Sequence, residues 1–452
     1  MIKQYFIFLT LLFLPILIYC QNSEFTEAQN IWRVKSAFPI IGEFEFYTAF
    51  EKHDSTLLLK SFENRDKFIL GSFKAKLFRF FQNRNYKKSL VAIEIINNKG
   101  KIHSIFGPFE LKDITISENN IKGDIFTNDN SEKLGSFTCE KITSPHNIYQ
   151  SINNYRALCD TIIKITASNI YNPKLTESDK WLTFCQNLKK KSFVVYDDLE
   201  FLVLFFANAR KVGFTHFSLN KSNINLERTL NKPQIDAKAI NDSVVLLKFI
   251  TLSGKTTEID SIFNSYKKFK IKILDLRSTP GGNFKSTYSV ASHLLKDTVN
   301  AGAFISRDCF INNTCRENIN NLPILGIDEI NNFSAILAKE KGIRIVLYPS
   351  SENSTNDEKL YILISNNTAS SCEPLVYGLK KTHYVKLVGE HTLGAILSPS
   401  VFDIGNNYYL ILPTADYLTS DGHSLDGIGV APNVKIKSHK ALNYVLKELK
   451  IK

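Results

Sequence analysis

Two serines stand where a buried strand gives way to a helix. In "YILISNNTASSCEPLVYGLKK", residues 361–381, the apolar run stops at Asn366, Asn367 and Thr368, and Ser370 and Ser371 precede a helical stretch continuing through Glu373 to Lys381. A hydroxyl there faces free N–H groups and the positive end of the helix dipole, which favour developing negative charge and suit a nucleophile in acyl transfer. The same residues also serve as ordinary helix caps. A second stretch, "KIKILDLRSTPGGNFKS", ends a strand at Asp275, Leu276 and Arg277 and sets Pro280, Gly281 and Gly282 in a tight turn before a helix. Glycines in such a turn let the backbone approach a bound carbonyl and donate N–H groups to its oxyanion, although a Gly pair is equally at home in a plain turn. Asp275 and Arg277 are read equally well as a structural ion pair.

The elements that must position these groups follow from the apolar periodicity. From about Phe38 to Ile142 short alternating runs such as "GEFEFYTAF", "STLLLKSF", "KFILGSFKAKLF", "NNIKGDIF" and "KLGSFTCEKI" are separated by turn residues such as "NNKGK", which predicts an antiparallel β-domain over residues 25–145. Residues 146–234 change to a helical period, as in "NIYQSINNYRALCDTIIKITASNIY" and "YDDLEFLVLFFANARKV", and read as a helical cap or connector. From residue 235 to 452 strands alternate with helices, which predicts right-handed crossovers and a largely parallel sheet in an α/β core. The polar region from Asn313 to Glu358 reads as an irregular insertion.

The chain has 452 residues, 44% of them hydrophobic, enough for two or three domains with their own cores. Residues 1–20, "MIKQYFIFLTLLFLPILIYC", have the one-lysine start and apolar run of a secretory signal peptide, so export to the periplasm, cell envelope or exterior is the expectation. A lipidated cysteine would follow a small residue, and Tyr19 fills that place; cleavage before Gln21 is expected, with a lipid anchor at Cys20 as the alternative. No later run is long and apolar enough for a membrane span. The net charge of +12 is spread along the chain without an aromatic-basic repeat, so nucleic acid is not an expected partner. Export permits disulfides, and Cys309 and Cys315 in "DCFINNTC" are the expected pair. No cysteine or histidine spacing resembles a zinc site.

The stretches "ILDLRSTPGG", "ISNNTASSCE", "LVGEHTLGA" and "TSDGHSLDGIGVAPNV", in that order, resemble the tail-specific and C-terminal processing serine peptidases, whose wider family includes the tricorn protease core and retinoid-binding relatives. The resemblance runs from about Asp242 to Val434 and implies ClpP/crotonase-like βα units in the core. In that family the nucleophile stands three positions before the motif's glutamate, so Glu373 selects Ser370, and the Ser371 N–H with that of Gly281 or Gly282 would form the oxyanion hole. Glu373 itself would shape the turn. The processing peptidases activate the serine with a lysine where this chain has Ala395. The tricorn-like branch uses a histidine instead, and "VGFTHFSLN" supplies His216 as general base beside Thr215, without the aspartate usual there. That branch completes its site with a glutamate whose position is taken here by Asp426. The shorter carboxylate would orient His216 through the Thr215 hydroxyl; its structural alternative is a turn residue before Gly427. His423 is a weaker alternative base.

The resemblance thus implies a serine-type endopeptidase that acts on peptides or unfolded proteins and needs no metal or organic cofactor, and residues 1–20 add the expectation of export. The competing expectation is a silent relative that binds peptides or apolar ligands in the same cleft. Between the His216 stretch and the core only residues 220–238 intervene, too few for a PDZ domain.

Overall fold

The computed structural model describes residues 30–451 except 39–41, 62–68, 70–90, 105–106, 130–131, 144–154, 194, 222–233, 313–318 and 351–358. The amino-terminal segment with Cys20, the strand expected over 67–78 apart from the buried Ile69, and Cys315 lie outside the described residues. Cys309 is disulfide-bonded.

The antiparallel domain is a closed barrel. Its strands are β1 (Ile31–Phe38), β2 (Gly42–His53), β3 (Thr56–Lys60), β4 (Val91–Ile96), β5 (Lys99–Ser104), β6 (Gly107–Ile116), β7 (Asn120–Phe126) and β8 (Lys133–Lys141), each paired with the next, and β8 pairs back to β1. Alternate residues point inward, and Val34, Leu59, Ile93, Ile125 and Phe137 fill an eight-stranded barrel with side chains. Asn97 and Asn98, at φ 49° and 60°, make the two-residue turn between β4 and β5. Strand β1, which closes the barrel, lies ahead of the run that reads as strands in the sequence.

Three helices follow: α1 (Tyr155–Asn169), α2 (Asp179–Ser192) and α3 (Asp198–Ala209). Ser178 caps α2 by accepting the Trp181 N–H, and Asp197 caps α3 by accepting the Glu200 N–H. Helix α3, "DLEFLVLFFANA", is apolar on nearly every face because it is buried between β2 and the short strand β9 (Ser218–Asn220).

The core holds two sheets. The first has the order β10 (Ile235–Ala239), β11 (Val244–Phe249), β12 (Ile271–Asp275), β15 (Lys359–Ile364), β16 (Val385–Gly389), β19 (Val434–Lys435); β10 is antiparallel and the rest are parallel. Its crossover helices are α4 (Thr256–Ser265), α5 (Phe284–Leu294) and α8 (Cys372–Lys380). The second sheet is antiparallel, in the order β14 (Gly342–Leu347), β13 (Val299–Ser306), β18 (Tyr408–Leu418), β17 (Ser398–Gly405), with β9 on the free side of β18. The sequence reading of 313–358 as an irregular insertion is therefore corrected. Residues 342–347 are the mostly buried strand β14 and Phe333–Lys339 the short helix α7, which follows α6 (Arg307–Asn312); β14 and α7 were both hidden in the sequence by polar flanks.

Candidate active site

Strands β12 and β15 are neighbours in the middle of the parallel sheet, so the turns at their carboxyl ends, Thr279–Gly282 and Ser365–Ser371, meet at the place where open α/β sheets bind ligands. Hydrogen bonds lock the turns together. Thr368 Oγ1 donates to Leu276 O (2.8 Å), Ser365 Oγ to Arg277 O (2.7 Å) and Ala369 N to Thr279 O (3.3 Å). Arg277 grips Asp275 through Nε (2.8 Å) and Nη2 (2.6 Å) and reaches Ser438 O through Nη1 (2.8 Å), which is the structural ion pair.

Ser370 sits at φ +54°, a left-handed conformation that a serine adopts only when its surroundings impose it. Its N–H is shared between Ala395 O (3.0 Å) and Glu373 Oε2 (3.2 Å). Glu373 is fully buried and accepts from Thr392 Oγ1 (2.6 Å), Gly394 N (2.8 Å) and Ala395 N (2.8 Å) as well. Burial pushes its pKa up, and these donors oppose the rise. Four donors around an acceptor-only carboxylate tie the serine turn to the 392–395 loop. The two serines are not equivalent: Ser370 is half-buried, whereas the Ser371 hydroxyl is buried and has no partner among the described residues.

Gly281 packs against the serine. A Cβ on it would lie 2.7 Å from Ser370 Cβ and 2.9 Å from Ala369 O, and its φ of +102° disfavours any other residue. The Gly281 carbonyl accepts from Leu252 N (2.9 Å), and Asn283 N returns a bond to Leu252 O (2.8 Å). This pairing leaves the Gly282 N–H directed away from Leu252.

His216 is brought in from outside the core. Phe214 and Phe217 bracket it and anchor in an aromatic cluster: the Phe217 ring lies 5.0 Å from Phe205, 5.5 Å from Phe184 and 6.1 Å from Trp181. His216 also has positive φ, +55°. Thr215 Oγ1 donates to Asp426 Oδ1 at 2.7 Å and lies 3.0 Å from His216 Nδ1. A hydroxyl has one proton; with that proton on Asp426, His216 donates Nδ1–H to Thr215 and its Nε2 carries a lone pair. Burial lowers the His216 pKa below the ordinary 6.5, favouring this neutral form. Burial raises that of Asp426, against hydrogen bonds from the Thr215 hydroxyl and the Thr215 and Ile396 N–H groups.

The segment Gly394–Ile396 joins the two halves: Ala395 O takes the Ser370 N–H, Gly394 O takes the Gly427 N–H (2.7 Å), and Ile396 N–H meets Asp426. No direct hydrogen bond links Ser370 to His216 among the described residues. His423 contributes backbone bonds to Thr419 that close the turn before Asp426. The sequence reading missed Thr392, whose hydroxyl bonds Glu373 and accepts the Val430 N–H (2.6 Å); a threonine two residues before Gly394 was the only mark in the sequence, and its burial shows only in the fold. No cluster of metal-ligating side chains occurs among the described residues, nor does any helix there have the length and apolarity to cross a membrane.

Residues 244–436 match the model of Peptidase family S41. Relatives include the chloroplastic C-terminal processing peptidase of Tetradesmus obliquus, 29% identical over 101 residues covering 22% of each chain. The carboxy-terminal-processing protease of Bartonella bacilliformis is 24% identical over 170 residues, 38% of this chain and 32% of that one. The chain thus spans about a fifth to a third of these relatives' length. Among solved structures, a putative peptidase from Parabacteroides merdae aligns over 66% of this chain and 97% of its own at 14% identity and TM-score 0.48. The tricorn protease aligns over 88% of this chain and 46% of its own at 10% identity and TM-score 0.42.

Proposed function

We propose that this chain, whose residues 244–436 are a peptidase family S41 domain, is a serine peptidase working through Ser370 and His216 with the oxyanion bound by backbone N–H groups. The observation that carries the reading is the hydrogen-bonded chain His216–Thr215–Asp426, which leaves Nε2 as the basic nitrogen. His216 Nε2 takes the Ser370 proton as Oγ attacks the substrate carbonyl, and the relay stabilises the imidazolium that forms. The tetrahedral oxyanion is held by the N–H group of Ser371 with that of Gly281 or Gly282, and Gly281 supplies the close approach to the serine. The imidazolium then protonates the leaving amine, and water, activated by the same nitrogen, hydrolyses the acyl-enzyme.

Apo sites often hold nucleophile and base slightly apart until substrate binds. The histidine route fits a chain with Ala395 in the place of the processing peptidases' lysine. Peptides or unfolded proteins are the substrate class, and the amino-terminal segment directs the chain out of the cytoplasm.

The test is a peptide library incubated with the protein from Gln21 onward and with its Ser370→Ala variant, read by mass spectrometry. Cleavage by the parent alone is expected. Cleavage by neither, with both folded, transfers the cleft to a ligand-binding role, and equal cleavage by both removes Ser370 from the mechanism.

A further inference from the structure

The barrel touches the segment that carries His216. Strand β9 begins two residues after that histidine and pairs with β18 through only three positions, Ser218 with Ile411, Leu219 with Leu410 and Asn220 with Tyr409. The next residue, Lys221, leaves the core. It bridges Gly42 at the start of β2 and buries its ammonium 3.0 Å from Asp198 Oδ2, over the face of Tyr408 at 4.6 Å.

Asp198 is a buried hub rather than a simple partner. It also accepts Tyr408 Oη from the core (2.6 Å), Tyr155 Oη from α1 (3.1 Å) and Glu45 N from β2 (3.0 Å). Asp197 takes the Tyr47 N–H (3.3 Å). Strand β2 meets β3 only from Ala49 onward, so the two aspartates receive N–H groups that its first half does not give to β3. The Phe214 and Phe217 rings anchor one end of this segment and its three-residue ladder to β18 is short, so the capture of Lys221 is the tie that holds the other end of β9, and with it the register of the left-handed His216.

We propose that the amino-terminal barrel is a working part of the active site: by clamping Lys221 between Asp198 and the β2 edge it sets the position of His216, which makes Lys221 a positioning residue for the base. The inference rests on the Ser370–His216 reading for its catalytic consequence and on geometry alone for the clamp. A loosened clamp lets β9 slide or fray, and the base loses its aim while Ser370, Glu373 and the glycine turn stay in place.

The experiment compares the full chain with Lys221→Met and Lys221→Arg. Because Lys221→Met leaves Asp198 buried without its cation, the double variant Lys221→Met/Asp198→Asn is included as the form that removes both charges together. Three quantities are read: amide hydrogen exchange over residues 214–220 and 359–364, peptide hydrolysis, and phosphonylation of Ser370 by a small fluorophosphonate. Expected are at least tenfold faster exchange at 214–220 with 359–364 unchanged, and kcat and phosphonylation at least tenfold slower at a KM within twofold in the Met and double variants. Lys221→Arg is expected to stay close to the parent. Unchanged exchange at 214–220 in both neutral variants overturns the clamp, whatever the activity. Accelerated exchange with unchanged kcat overturns the positioning role, and an arginine variant as impaired as methionine removes the ion pair as the cause. A parent that neither hydrolyses nor reacts refutes the Ser370 reading itself, and with it the positioning role; exchange then reports on the clamp alone.

Discussion

Thr215 and Asp426, 211 positions apart in the sequence, share a 2.7 Å hydrogen bond, and the same threonine hydroxyl lies 3.0 Å from His216 Nδ1. The aspartate reaches the hydroxyl although a family glutamate would be one methylene longer. Replacing Asp426 by Asn keeps the shape but offers Thr215 an amide in place of a charge. Asp426→Asn is expected to lower kcat by about 10²- to 10⁴-fold with little change in KM. Steady-state kinetics on one cleaved peptide decide it; a loss under threefold would remove Asp426 from the relay.

The proposed relay runs through the threonine hydroxyl, which contacts both Asp426 and His216, so hydroxyl and shape are separable at position 215. Thr215→Ser retains the donor to Asp426 and the acceptor for His216 Nδ1, and is expected to keep activity within about fivefold. Thr215→Val keeps the volume and loses both contacts, and about a 10²-fold drop in kcat is expected, within the usual span of general-base effects. Equal behaviour of the two variants would contradict a relay.

The sign of the pH dependence follows from His216. In the proposed mechanism only its neutral form accepts the Ser370 proton, and burial lowers its pKa, so protonation is delayed on acidification. The acid limb of kcat/KM is therefore expected to have its midpoint below 6.5, the ordinary histidine value, with activity retained above it. A pH-rate profile on the free enzyme reads this midpoint directly, and a value above 6.5 would sink the assignment of the base.

Glu373 makes a prediction about stability. All four of its partners are donors, so the amide of a Glu373→Gln variant would face N–H groups and leave at least one unsatisfied. A loss of about 1–3 kcal/mol is expected, together with a fall in activity as the Ser370 turn relaxes. Urea unfolding followed by tryptophan fluorescence and circular dichroism measures it; an unchanged midpoint would show the carboxylate to be dispensable for the turn.

Much of this was legible in the sequence, and what was legible was local. The strand-to-helix turn at Ser370, the glycine turn at Gly281 and Gly282, the antiparallel run and the βα alternation rest on residues adjacent in the chain, where periodicity and turn chemistry act. The ordered motifs added His216 and Asp426 as candidates, and the spacing from Glu373 distinguished Ser370 from Ser371. Alternating residues announced strands in the amino-terminal domain but not their closure, because the pairing of Trp32 with Lys141 is a long-range contact with no local mark. Strand β14 went unread for a related reason: its six residues become a strand only when β13 is beside them.

Tertiary structure alone decided the electrostatics and the tautomer. Whether Asp426 is a turn residue or a partner of Thr215 depends on a contact across 211 positions, and the buried hydroxyl of Ser371 became visible only when α8 was packed. The same holds for Asp198 and Lys221, which the sequence shows as one helix-start aspartate and one lysine among many. Residue types set which groups can donate, accept or carry charge; which of them meet, and in which protonation state, is set by the burial and register that only the folded chain supplies.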